Sequence, residues 1–114
     1  MARSRVASRP FSDVAPLFTA LGDETRLYLV SRLCQEGPLS IARLTEGTRL
    51  TRQAVTKHLR VLSQAGLAGG ARVGREQRWA IRRERLTEVR RLLAQIASQW
   101  DAALARLRAF VEEP

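Results

Sequence analysis

Residues 51–81, TRQAVTKHLRVLSQAGLAGGARVGREQRWAI, decide the fold. Thr51 stands just ahead of a helical repeat, at the N-cap position where a hydroxyl oxygen accepts a backbone N–H. From Arg52 to about Ala65, Val55, Leu59 and Leu62 recur at i, i+4 and i+7, which predicts a helix with one apolar face, ended by Gly66. A projection at about 100° per residue gathers Gln53, Thr56, Lys57, Arg60 and Gln64 on the opposite, polar face. Next, 67–73 and 77–81 read as extended runs around Gly74-Arg75-Glu76, with Val73, Trp79 and Ile81 at odd positions, the pattern of a β-hairpin.

Upstream, Ser40 opens a short helix bearing Ile41 and Leu44, and Gly47 stops it. Two helices joined by a Gly-containing turn make a helix-turn-helix, and a basic hairpin directly after the second makes it winged. An earlier helix, capped by Asp23 with Glu24 in its first turn, carries Leu27, Leu29, Val30, Leu33 and Cys34 toward the core and stops at Gly37-Pro38. Before it, Val14, Leu17, Phe18 and Leu21 recur at helical spacing, with Ser12 or Asp13 as cap and Pro16 in the first turn. Residues 1–10 read as a flexible basic arm.

From about 83 to 112, Leu86, Val89, Leu93, Ile96, Trp100, Ala103, Leu107 and Phe110 alternate steps of three and four. Such a helix is roughly 40 Å long, more than a domain of this size covers, so part of the seam is expected to meet a second copy. The expected interface is Val14, Leu17 and Phe18 with Leu93, Ile96, Trp100, Ala103, Leu107 and Phe110, related by a two-fold axis. The fold class is thus mostly α with a small β-hairpin: a winged helix-turn-helix in the order α-α-α-α-β-β-α, occupying 11–114 and dimerising through its first and last helices.

Charge places the partner. The 114 residues carry 20 Lys+Arg against 11 Asp+Glu, a net +9. Nearly all of it lies between Arg49 and Arg85, where ten bases face only Glu76 and Glu84; the rest of the chain is close to neutral. A local positive field attracts a polyanion, and solvated faces ordinarily mix both signs. On the polar helix face, Gln can engage adenine and Lys57 or Arg60 guanine, in a major groove that fits a helix. Thr51 and Arg52, at the positive end of that helix, are placed for phosphate, and the wing arginines Arg72, Arg75 and Arg78 for backbone or minor groove. The expected partner is double-stranded DNA. A protein-interaction adaptor on the same scaffold is the alternative, but it would favour an apolar, aromatic reading face, and Gln53, Thr56 and Lys57 offer none.

Three ordered blocks resemble the ArsR/SmtB family of bacterial winged-helix repressors: 18–26 (FTALGDETR), 51–62 with 65–67 (TRQAVTKHLRVL, AGL), and 72–79 (RVGREQRW). The resemblance spans 14–110. It implies a homodimer made by the terminal helices, DNA contacts from Gln53, Thr56, Lys57 and His58 plus the wing, repression at a palindromic operator, and relief by an effector of unknown identity, small molecule or protein. The metal sites of sensing relatives do not carry over. Ser40 and Ala42 stand where thiol-using relatives have a Cys-x-Cys pair, and the last helix has no His, with Glu88 and Asp101 13 residues apart. The chain is similar to the metal-independent branch, whose last helix has a Trp followed by Leu-rich turns, as in 100–110. No metal and no cofactor are expected.

A catalytic reading would have to use His58 or Cys34, since a nucleophile needs a neighbouring base. Cys34 is expected in the core and His58 in packing or on phosphate. No phosphate-cradling glycine motif appears, because Gly69, Gly70 and Gly74 belong to the hairpin. An enzyme is not expected. One cysteine forms no internal disulfide, no apolar run approaches the roughly 18 residues that span a bilayer, and 1–10 lacks an apolar signal core. A cytoplasmic, nucleoid-associated protein with no membrane partner is therefore expected.

Overall fold

The computed structural model describes residues 2–113, with side chains described from Phe11 onward. Five helices and one hairpin follow in the order α1 Ala2–Leu21, α2 Glu24–Glu36, α3 Ile41–Glu46, α4 Arg52–Gln64, β1 Ala68–Val73, β2 Glu76–Ile81 and α5 Arg83–Glu112. Helix starts follow side-chain chemistry. Asp23 accepts from Arg26 N, Ser40 from Arg43 N and Thr51 from Ala54 N, each satisfying a donor that the first helical turn leaves unpaired.

α1 begins at Ala2, well before the cap expected at Ser12 or Asp13, and passes through Pro10 and Pro16. Phe11 prolongs the apolar stripe by a turn: with Val14, Ala15 and Phe18 it lines an apolar groove against Leu92 and Ile96 of α5. Packing of that stripe accompanies a helix continued across a proline that lacks its N–H. The arm side chains of residues 1–10 lie outside the described residues.

The core joins Leu17 and Ala20 of α1, Leu29, Val30 and Leu33 of α2, Leu44 of α3, Val55, Leu59 and Leu62 of α4, Leu67, Ala68 and Val89. Two sequence expectations fail here. Leu27 is exposed, and so is Cys34. The buried face of α2 is centred on Leu29 and Leu33, and both outliers project about 100° or more away from it. Leu17, expected at a dimer interface, is wholly buried inside its own protomer and supports α1 from beneath.

The strands pair antiparallel from Ala68↔Ile81 to Val73↔Glu76. The connection is two residues, Gly74-Arg75, so Glu76 belongs to β2 and not to the turn. Gly74 has φ +63° and Arg75 does not have positive φ, the signature of a type II′ hairpin with glycine first. The sequence did not announce a third extended piece. Leu39, between α2 and α3, exchanges both backbone hydrogen bonds with Trp79 at 3.0 and 2.8 Å, and so ties the base of the wing to the entry of the helix-turn-helix.

α5 buries only Val89 in the protomer. Its distal half extends past the core, and the molecule measures 68 Å along its longest axis.

Candidate nucleic-acid interface

α4 is positioned by its inner face. Val55, Leu59 and Leu62 are fully buried, so Arg52, Gln53, Lys57 and Arg60 are turned to solvent together. Gly47 sets the preceding turn by close approach: a Cβ there would overlap the Tyr28 hydroxyl and come 3.1 Å from Arg32 Nη1. Arg32 also donates to the Arg43 carbonyl at 2.8 Å and pairs with Glu36, which fastens α3 to α2.

Four sequence-assigned side chains occupy less simple positions. Thr56 is half-buried and its hydroxyl donates to the Arg52 carbonyl at 2.7 Å, which leaves its oxygen only as an acceptor. Gln64 lies away from the reading face, in a groove between α1 and α4 with Ser12, Pro16 and Ala65. Arg78 is drawn to Glu76, Nε to Oε1 at 2.8 Å, and lines a groove with Ser40 and Arg43. Arg72 faces the other side of the ribbon with its cross-strand neighbour Gln77. The wing therefore presents Arg72 and Arg75 as exposed cations, with Arg78 partly neutralised behind them.

His58 points toward α2. Arg26 Nη1 donates to its Nδ1 at 3.2 Å, and Asp23 Oδ2 stands 3.7 Å from the same nitrogen. Arg26 Nε also donates to the Ala20 carbonyl at 2.6 Å, so one arginine links the end of α1, the start of α2 and the middle of α4. The Arg26 amide, donated to Asp23 Oδ2 at 3.0 Å, holds the Asp23 carboxyl below its ordinary range, aided by the charge of Arg26.

Two cations counted in the basic stretch from Arg49 to Arg85 carry no assigned contact there. Arg49 is exposed just before the Thr51 cap, and Arg82 extends over Gly69, where a Cβ would overlap its guanidinium. The signal for both was their place in that basic stretch, and for Arg49 also its position ahead of a helix N-terminus. Among the described residues no group of three or more His, Cys, Asp or Glu is placed to hold a metal ion, and no helix is long and apolar enough to cross a membrane.

Residues 21–68, the span from the end of α1 into β1, match a helix-turn-helix domain family. The chain is 38% identical over 65 residues to YuzN of Bacillus subtilis (strain 168), described as an uncharacterized HTH-type transcriptional regulator, covering 52% of this chain and 71% of that protein. It superimposes on an ArsR-like transcriptional regulator from Rhodococcus sp. RHA1 with a TM-score of 0.74 at 33% identity, covering 91% of this chain and 97% of the other. The chain belongs to the ArsR family. This ArsR-family protein is a DNA-binding transcriptional regulator with a winged helix-turn-helix fold, in a family of regulators rather than enzymes. A further likeness of fold, TM-score 0.63 at 23% identity over 83% of this chain and 85% of the other, is to the homodimeric winged helix-turn-helix domain of Mb0332 from Mycobacterium bovis.

Proposed function

We propose that the protein is a homodimeric repressor of a palindromic operator, each protomer laying α4 in a major groove and its wing along the flanking backbone or minor groove. The observation that carries this reading is the outer face of α4, where Arg52, Gln53, Lys57 and Arg60 are exposed opposite three fully buried apolar side chains. A face of that composition matches base edges and phosphates, and it lacks the aromatic anchors that a protein partner selects. Thr51, Arg72 and Arg75 supply phosphate contacts, Thr56 accepts, and His58 and Arg78 serve mainly to hold α4 and the wing in place.

The dimer is proposed from α1 and α5. Leu93, Ile96, Trp100, Leu107 and Phe110 all stand largely exposed on one protomer, with Val14, Phe18 and Ala103 half-buried beside the same faces. A continuous apolar stripe of this length is characteristic of an interface. A homodimeric fold relative supports the arrangement. The effector, small molecule or protein, would act by preferring one arrangement of this seam, and the working compartment is the bacterial cytoplasm at the nucleoid.

Titration of a duplex selected from a random library tests the reading. With about eight phosphate contacts per dimer, log K should fall with log salt at a slope of about −7. A slope near zero, or no retention of any duplex at low salt, rejects DNA as the partner of this face.

A further inference from the structure

α4 packs chiefly on α1, α2, α3 and β1, whereas α5 packs on α1. One side chain links α5 to both α1 and the end of α4. Arg85, in the first turn of α5, donates from Nη2 to the Asp13 carbonyl of α1 at 3.2 Å and from Nε to the Ala65 carbonyl at the end of α4 at 3.5 Å. Its Nη1 is held by Glu88 Oε2 at 2.6 Å. The chain makes room for its stem: Gly66 has φ +81°, and a Cβ there would lie 3.1 Å from Arg85 Cγ.

The chemistry suits a brace. A guanidinium offers five donors in a rigid fork, so one group can serve two carbonyls and a carboxylate from three directions. The last carbonyls of a helix are unpaired within it and form the negative end of its dipole, so a cation beside Ala65 is favourable there. Glu88 fixes the guanidinium on α5 itself, which makes the brace part of the dimerisation helix.

We infer that Arg85 is a positioning residue: it sets the angle of the reading helix α4 against the α1–α5 pair, and through that angle the separation of the two reading helices in the dimer. The inference rests on the proposed dimer and on DNA as its partner. Half-sites one helical turn apart require a separation of about 34 Å, so a pivot that loosens at the end of α4 weakens two-site binding more than one-site binding. Arg85 is not expected to touch DNA.

Arg85→Met keeps the stem and removes the fork; Arg85→Lys restores a cation without the fork. Each variant is compared with the unmodified protein on two duplexes taken from a wild-type library selection, one holding both half-sites at the preferred spacing and one holding a single half-site. Thermal melting and sedimentation equilibrium report folding and assembly. For Arg85→Met we expect a folded dimer, affinity for the two-site duplex weakened about tenfold, single-site affinity changed less than about twofold, and partial recovery in Arg85→Lys. Equal weakening on both duplexes, or none on the two-site duplex, overturns the inference while leaving the dimer standing. A monomeric unmodified protein in sedimentation overturns the dimer reading first, and the inference with it.

Discussion

At the scale of single residues, the polar side chains of α4 divide by exposure: Arg52, Gln53, Lys57 and Arg60 are exposed, Thr56 and His58 half-buried. Gln53 is exposed on the outer face and carries the amide that can pair with adenine on two edges. Gln53→Ala should weaken the preferred duplex by about 1 to 3 kcal/mol and unrelated duplexes less, whereas Arg75→Ala, which removes one phosphate contact from each protomer of the proposed dimer, should weaken all sequences to a similar degree and flatten the salt slope by about two. Competition titrations on both variants check this, and a uniform loss for Gln53→Ala would sink its reading role. Asp23 supplies the matching prediction in acid. Its carboxyl is held below the ordinary value by the Arg26 amide, so it stabilises the fold above the unfolded-state value near about pH 4 and loses that contribution as pH falls through the lower folded value. Asp23→Asn keeps an effective N-cap but no titrating group. The difference in Tm between the two proteins should shrink as pH falls below about 4; a gap that widens on that acidification contradicts the assigned sign.

At the scale of elements, the caps of α2, α3 and α4 and the buried face of α4 were legible because each depends on neighbours in sequence, whereas the start of α1 was not. Asp23, Ser40 and Thr51 start the helices expected of them, and the i, i+4, i+7 rows of α4 are buried as read. What was not legible depends on partners distant in sequence. The Leu39–Trp79 bridge joins residues 40 apart, and nothing local marks Leu39 as extended. The turning of His58 toward Arg26 and Asp23 follows from how α2 crosses α4, which a helical projection does not contain. The exposure of Leu27 and Cys34 has the same origin: both are apolar by type, but the core lies on the Leu29–Leu33 side. The hydroxyl cap of α4 gives a prediction at this scale. Thr51 Oγ1 accepts from Ala54 N at 3.1 Å, so Thr51→Ala should cost about 1 kcal/mol of stability, read as a lower denaturant midpoint with an unchanged slope. A variant as stable as the parent would mean that water replaces the cap without loss.

At the scale of the whole molecule, α5 spans 30 residues and buries only Val89 in the protomer, the feature on which the proposed dimer rests. Trp100, Leu107 and Phe110 are 64%, 58% and 77% exposed along one stripe of α5. A charge placed in that stripe touches no protomer core, so folding of the single chain should survive it. In a dimer the same charge would be buried in an apolar seam, where loss of one central anchor commonly costs about 2 kcal/mol or more. Trp100→Glu with Leu107→Glu should therefore halve the mass in sedimentation equilibrium at micromolar protein and leave the far-ultraviolet spectrum largely helical. Binding to a two-site duplex should fall by about a hundredfold, because two linked half-site contacts become two independent ones. A double variant that still sediments as a dimer and still retains the duplex would place the interface elsewhere, and would leave this stripe without an explanation in the molecule.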